Sequence, residues 1–180
     1  MNFESINYSD YEIKTPYPKL TSTQKDEKII PNLINSYSGA NGELTAITQY
    51  IYQSFIVKPI ENDIGLSKIL ENISIKEMKH LELLSQILIS QGINPKFCKY
   101  IDNNFNICSS WSANNLKYIT DVKEFIKYNI KAEKSAILEY TTIINNATNE
   151  NIIEILTRII QDEESHIEIF TKILELIEKD

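Results

Sequence analysis

The chain contains two histidines, His80 and His166, and each is preceded three residues earlier by a glutamate. Three residues is just under one turn of an α-helix, so the glutamate and histidine of a Glu-x-x-His pair point the same way and can share one site. Carboxylate oxygens and imidazole nitrogens are common ligands of divalent metals. Because 18 of the 180 residues are glutamate, chance alone would give both histidines such a neighbour in about one sequence in a hundred.

Apolar residues at three- and four-residue steps predict that both pairs lie on long helices. Four helices are predicted, at about 32–57, 64–91, 118–146 and 150–178. Glu77 and His80 fall on the apolar face of the second helix, and Glu163 and His166 fall on that of the fourth. A single Glu-x-x-His pair is more often a solvated helix face, but two pairs on core-facing sides predict a shared site.

Single acids interrupt the apolar faces of the other two helices, Glu43 in the first and Glu133 in the third. An uncompensated carboxylate inside a bundle costs several kcal/mol or takes up a proton. Two divalent cations would neutralise four such carboxylates, and this pattern is that of di-iron and di-manganese carboxylate bundles. The predicted metal ligands are Glu43, Glu77, His80, Glu133, Glu163 and His166.

The rest of the chain limits the architecture. Only four glycines and five prolines are present, which favours long helices over strands and turns. Residues 1–31 are polar and interrupted by prolines, so they are predicted to be an N-terminal extension to a domain at 32–180. Residues 94–117 show no clear period and suit a crossover along a bundle. The prediction is therefore an all-α four-helix bundle with a long crossover between helices two and three.

Composition also limits the partners. The formal net charge of −7 argues against a nucleic-acid binder that neutralises phosphates. No apolar run approaches 18 residues, and the first residues lack the apolar segment of a signal peptide. Two cysteines are too few for a disulfide framework. We therefore expect a cytoplasmic protein with no nucleic-acid or membrane partner.

The six candidate ligands and their spacing resemble the ferritin-like di-metal carboxylate superfamily, which includes bacterioferritins, rubrerythrins and manganese catalases. The resemblance covers about 32–178 and includes the segments KEMKHLELL and RIIQDEESHIEIF. The segment GELTA at 42–46 resembles the corresponding helix of manganese catalases and their spore-coat relatives. By similarity to bacterioferritin, Glu77 and Glu163 would bridge two metals. The same similarity assigns Glu43 and His80 to one metal, and Glu133 and His166 to the other.

The chain departs from two of these families. It lacks the paired C-x-x-C iron site of rubrerythrins, and Ala136 stands where they tend to hold an extra acid, one turn after the third-helix ligand. Met78 stands where bacterioferritin has its haem ligand. Because a lone exposed methionine on a helix is far commoner than a haem ligand, we do not expect haem.

Three further side chains are candidates for contacts with the ligands. Tyr50 and Tyr140 each follow a lone glutamate by seven residues, two turns along the same face, so each could donate a hydrogen bond to that carboxylate. Both could equally fill space in the core. Asp162 could orient a histidine of a neighbouring helix or be a surface acid.

Two adjacent redox metals can exchange two electrons with peroxide or dioxygen, so the predicted function is an oxidoreductase that protects against oxidants. Two iron ions would give a rubrerythrin-like peroxidase or oxidase with an external electron donor protein, and two manganese ions a catalase needing no donor. The alternatives are ferroxidase activity with iron storage and a spore-coat-type structural role. We expect a homodimer or larger homo-oligomer.

Overall fold

Long helices dominate the computed structural model, which describes residues 3–21, 24–61, 64–101 and 107–179. The helices of these ranges are α1 Ile30–Ser38, α2 Glu43–Glu61, α3 Ile64–Ser90, α4 Val122–Asn146 and α5 Glu150–Lys179. α2 packs along α3, and α4 packs along α5. The two helix pairs form the predicted four-helix bundle, with the long crossover between α3 and α4. Within the described ranges, no helix is both long enough and apolar enough to cross a membrane.

The first predicted helix is wrong in one respect, because the chain breaks between α1 and α2. At Gly42 a Cβ atom would lie 2.4 Å from the Asn35 carbonyl oxygen and 2.5 Å from that of Ser36, so only glycine fits this close approach. The break makes Glu43 the first residue of α2. The positive end of the helix dipole there favours a carboxylate.

The core consists of two apolar clusters separated by a polar layer. One cluster contains Leu84 of α3 and Ile159 of α5, and the other contains Ile73 of α3 and Phe170 of α5. The Glu-x-x-His pair of each helix lies in sequence between its two cluster residues. The pairs are therefore enclosed by apolar side chains on both sides along the bundle axis.

The crossover contains a small β-hairpin that the sequence did not predict. Strand β1, Cys98–Ile101, pairs antiparallel with β2, Ile107–Ser110. The Ser38 hydroxyl donates to the Cys98 carbonyl and accepts from the Cys98 amide, at 2.8 and 3.0 Å. The Trp111 indole donates to the Thr45 hydroxyl at 2.9 Å. The crossover is thus fastened to α1 and to the first turn of α2.

The N-terminal segment, defined here as residues 3–21, packs on the bundle. Phe3 is fully buried and Ile6 nearly so, and both belong to the apolar cluster around Phe170. The Ser165 hydroxyl of α5 donates to the Tyr11 carbonyl at 2.5 Å. The first part of the predicted extension therefore contributes side chains to the core.

Candidate metal centre

All six predicted ligands meet inside the bundle. Their side chains are buried, with exposed fractions between 0 and 4%. They form two groups of donor atoms, and within each group these atoms lie within 4.8 Å of one another. The first group is Glu43, Glu77, His80 and Glu163, and the second is Glu77, Glu133, Glu163 and His166. Glu77 and Glu163 belong to both groups, which is the division that the resemblance implied.

The two central carboxylates each face both histidines. Glu77 places Oε2 at 2.7 Å from His80 Nδ1 and Oε1 at 3.0 Å from His166 Nδ1. Glu163 does the same with exchanged oxygens, at 3.1 and 3.0 Å. The centroids of the two imidazole rings are 6.2 Å apart. Each carboxylate thus spans the space between the two groups, as a bridging ligand must.

The donor set fits a pair of divalent cations. Glu77 Oε1 and Glu163 Oε1 are buried and lack a hydrogen-bond partner, because their contacts to the imidazole nitrogens fall outside hydrogen-bonding geometry. Unpaired carboxylate oxygens in a core are costly, and a cation would satisfy them. Donor atoms about 3 Å apart also match ligands at right angles around an ion with bonds of ~2.1 Å.

The two lone glutamates lie at the margins of the centre. His80 Nδ1 is 3.8 Å from Glu43 Oε1, and His166 Nδ1 is 3.6 Å from Glu133 Oε1. Both glutamates are supplied by the helix pair that does not carry the histidines, α2 and α4. Each group therefore has one terminal carboxylate of its own besides the two that it shares.

Both tyrosines contact glutamates, but the predicted partners are wrong. Tyr50 donates a hydrogen bond to Glu133, and Tyr140 donates one to Glu43. Seven residues along one helix is a rise of about 10.5 Å, too far for a hydrogen bond within the helix. Because α2 and α4 run side by side in opposite directions, each tyrosine lies opposite the glutamate of the other helix. The phenols therefore link the two helices through the centre.

Asp162 is buried, with an exposed fraction of 2%, and its Oδ2 lies 3.2 Å from His80 Nε2. Of the two interpretations from the sequence, the structure supports the contact with a histidine of a neighbouring helix. Two partners of Asp162 were not predicted, Arg158 and Tyr17. Arg158, the single arginine of the chain, precedes Asp162 by four residues on α5, which is a readable signal for an ion pair. Tyr17 carries no such signal, because it is 145 residues away.

Burial and mutual repulsion change the proton affinities of the centre. Burial, together with the charges of Glu77 and Glu163, raises the pKa of Glu43 and raises that of Glu133 to about 8. Burial also opposes ionisation of Glu77, but the two imidazoles outweigh it and hold the Glu77 pKa well below its usual range. Although burial lowers the pKa of both histidines, the facing carboxylates raise it well above the usual value. Protons thus neutralise part of the charge when no cation is bound.

These shifts predict opposite pH responses of the metal-free and metal-loaded protein. A raised pKa of Glu133, His80 and His166 stabilises the fold at low pH, and that stability is lost as pH rises through the folded-state values. We expect the melting temperature of chelator-treated protein to fall between about pH 6 and 9. Metal binding requires deprotonated ligands, so the stabilisation by added metal should grow over the same range. Calorimetry at several pH values measures both trends, and a melting temperature of metal-free protein that rises with pH would contradict the first.

Comparison with known proteins places this arrangement in a family. A family model described as the ferritin-like domain matches residues 38–180. The chain belongs to the ferritin-like domain family. It is similar to a probable manganese catalase of Clostridium acetobutylicum, with 24% identity over 157 residues, which cover 79% of this chain and 68% of that protein.

Solved structures of manganese catalase from Anabaena share the fold of this ferritin-like domain. The wild-type enzyme has a TM-score of 0.77 and 27% identity, covering 93% of this chain and 80% of its own. A second structure of the Anabaena enzyme has a TM-score of 0.76 and 27% identity, covering 92% and 80%. The similarity extends beyond the matched domain into the N-terminal residues, since it covers more than nine-tenths of this chain.

The ferritin-like bundle contains a cavity of about 30 Å³ beside the centre, between α2 and α4. Glu43 and Glu133 line its inner part, and the exposed Asn41 lines it as well, so it connects the lone glutamates with the surface. Small residues form much of its wall, namely Gly42, Ala46, Ala132 and Ala136. A volume of this size holds about two water molecules.

Proposed function

We propose that this protein is a di-manganese oxidoreductase that disproportionates hydrogen peroxide. The observation that carries the proposal is the sharing of Glu77 and Glu163 between two groups of buried donor atoms. Sharing of this kind suits two adjacent ions whose oxidation states change together. The similarity to manganese catalases supports the same chemistry.

Six residues would hold the two ions. Glu77 and Glu163 would each contact both ions, Glu43 and His80 would contact one, and Glu133 and His166 the other. When bound, two manganese ions can take two electrons from one peroxide and return them to another, so that no separate donor is required. Of the two metals predicted from the sequence, manganese is the one that the similarity to known proteins supports.

The residues around the centre would hold the ligands in place and keep bulk water out. The hydroxyls of Tyr50 and Tyr140 donate to the terminal carboxylates and so limit their rotation. Apolar clusters enclose the centre along the bundle axis. Electrostatic interactions between the ions and their ligands are stronger in such a water-poor interior.

The cavity between α2 and α4 would admit the substrate and restrict its size. Hydrogen peroxide has two non-hydrogen atoms, and the cavity of about 30 Å³ has room for about two waters. An organic hydroperoxide with a bulky carbon chain exceeds that room. The cavity therefore favours peroxide itself as the substrate.

The test is to load the purified chain with Mn(II), determine bound metal by elemental analysis, and follow dioxygen release from peroxide without a reductant. We expect two manganese ions per chain and one dioxygen for every two peroxides consumed. The iron-loaded chain serves as the matched control and should release no dioxygen without a donor. Peroxide consumption that depends on an added reductant would instead favour the rubrerythrin-like alternative.

Sedimentation of the same sample tests the remaining alternatives. Iron storage requires a hollow assembly of many subunits, so a dimer-sized particle would exclude it. A protein that binds metal and is stabilised by it, but turns over no peroxide, would favour the structural role of a coat protein.

A further inference from the structure

Three groups converge on one oxygen atom beside the centre. Asp162 Oδ2 accepts a hydrogen bond from the Tyr17 hydroxyl at 2.5 Å and forms an ion pair with Arg158 Nη1 at 2.7 Å. The same oxygen lies 3.2 Å from His80 Nε2. Because Asp162 is a carboxylate here, Nε2 must donate, which leaves His80 Nδ1 free to face the centre.

Tyr17 is itself held by α5, although it lies in the N-terminal segment. Arg158 donates from Nε to the Thr15 carbonyl at 2.7 Å and from Nη2 to the Ile13 carbonyl at 2.9 Å. Its guanidinium also lies over the Tyr17 ring, 4.5 Å from the ring centroid. Arg158 thus positions both Asp162 and the backbone that carries Tyr17.

The second histidine lacks this support. His166 Nε2 is buried and has no hydrogen-bond partner among the described residues. The residue that precedes Glu77 is Lys76, whereas the residue that precedes Glu163 is Asp162. The two halves of the centre therefore have similar ligands but different surroundings.

We propose that the N-terminal segment makes the two metal positions unequal, with Tyr17 acting through Asp162 as a positioning residue for His80. This inference rests on the proposed metal centre. A carboxylate on the outer nitrogen of a ligating histidine orients the ring and increases its basicity, and loss of such a partner typically lowers metal affinity 10- to 100-fold. The ion at His80 and Glu43 is consequently the more tightly bound of the two.

The test is a titration of the full-length, metal-free chain with Mn(II), followed by the electron paramagnetic resonance signal of free Mn(II). We expect two resolved binding steps in the wild-type protein. Tyr17→Phe should weaken the tighter step about 10-fold or more and leave the weaker step unchanged. Tyr11→Phe is the matched control, because Tyr11 binds α5 through its carbonyl, which the substitution retains.

A second readout reports on His80 directly. The chain has only two histidines, so nitrogen NMR of the Zn(II)-loaded protein resolves both rings. We expect the His80 Nε2 proton to exchange faster in Tyr17→Phe than in the wild type, and the His166 signal to stay unchanged. Binding of both ions in one step, or equal weakening of both steps by Tyr17→Phe, would overturn the inference. Two unequal steps without peroxide turnover would refute the proposed function and leave the inference in place.

Discussion

Glu163→Gln is expected to abolish tight binding of both metal ions and to lower peroxide turnover by at least about 10³-fold. Glu163 belongs to both groups of donor atoms, and its two oxygens face His80 and His166 separately. An amide has one acceptor oxygen and no charge, so it cannot bridge two cations. Loss of a partner that merely supports a ligand already costs 10- to 100-fold, and loss of a shared ligand should cost more. Elemental analysis and dioxygen release measure the two effects.

Glu164→Gln is the matched control for this substitution. Glu164 is the exposed neighbour of Glu163 on α5, so the same chemical change is made one residue away from the centre. We expect it to retain two ions and full activity. A Glu163→Gln protein that still binds two ions and releases dioxygen at the wild-type rate would show that the carboxylate is not a shared ligand.

Ala136→Leu is expected to lower turnover of hydrogen peroxide about 100-fold while both metal ions remain bound. Ala136 lines the small cavity between α2 and α4 that leads to Glu43 and Glu133. Three additional carbon atoms fill a space that holds only about two water molecules. Because a displacement of about 1 Å can cost 10²-fold in rate, exclusion of peroxide from the centre should cost at least as much.

Ala113→Leu provides the control, since Ala113 is exposed and lies in the crossover rather than at the cavity. We expect it to behave as the wild type. The ratio of bound metal to activity is the decisive measurement, because it separates a blocked entrance from a damaged centre. Normal turnover in Ala136→Leu with both ions bound would mean that peroxide reaches the centre by another route.

The candidate centre could be predicted because its pattern lies within single helices. Glu77 and His80 are less than one turn apart, so their common direction follows from helix geometry alone. Glu43 and Glu133 could be found because each interrupts an apolar face that must turn inward. The bundle and the division of ligands into two groups followed from this periodicity and from the resemblance to ferritin-like proteins.

Contacts between distant segments could not be predicted in this way. Tyr50 bonds Glu133 and Tyr140 bonds Glu43 because of the offset between α2 and α4, and no spacing within one helix encodes that offset. The break at Gly42 depends on the close approach of two carbonyl groups of α1. A glycine in a helical pattern is compatible with either a continuous or a broken helix.

The sequence by itself thus determined which residues face the interior, because helical periodicity is a local property of the chain. Only the tertiary structure decided what those residues meet, as the contact between Tyr17 and Asp162 illustrates. That contact joins segments far apart in the chain, and its geometry depends on how the N-terminal segment packs against α5. Packing of this kind is a property of the whole fold, whereas the direction of a side chain on a helix is set within a single turn.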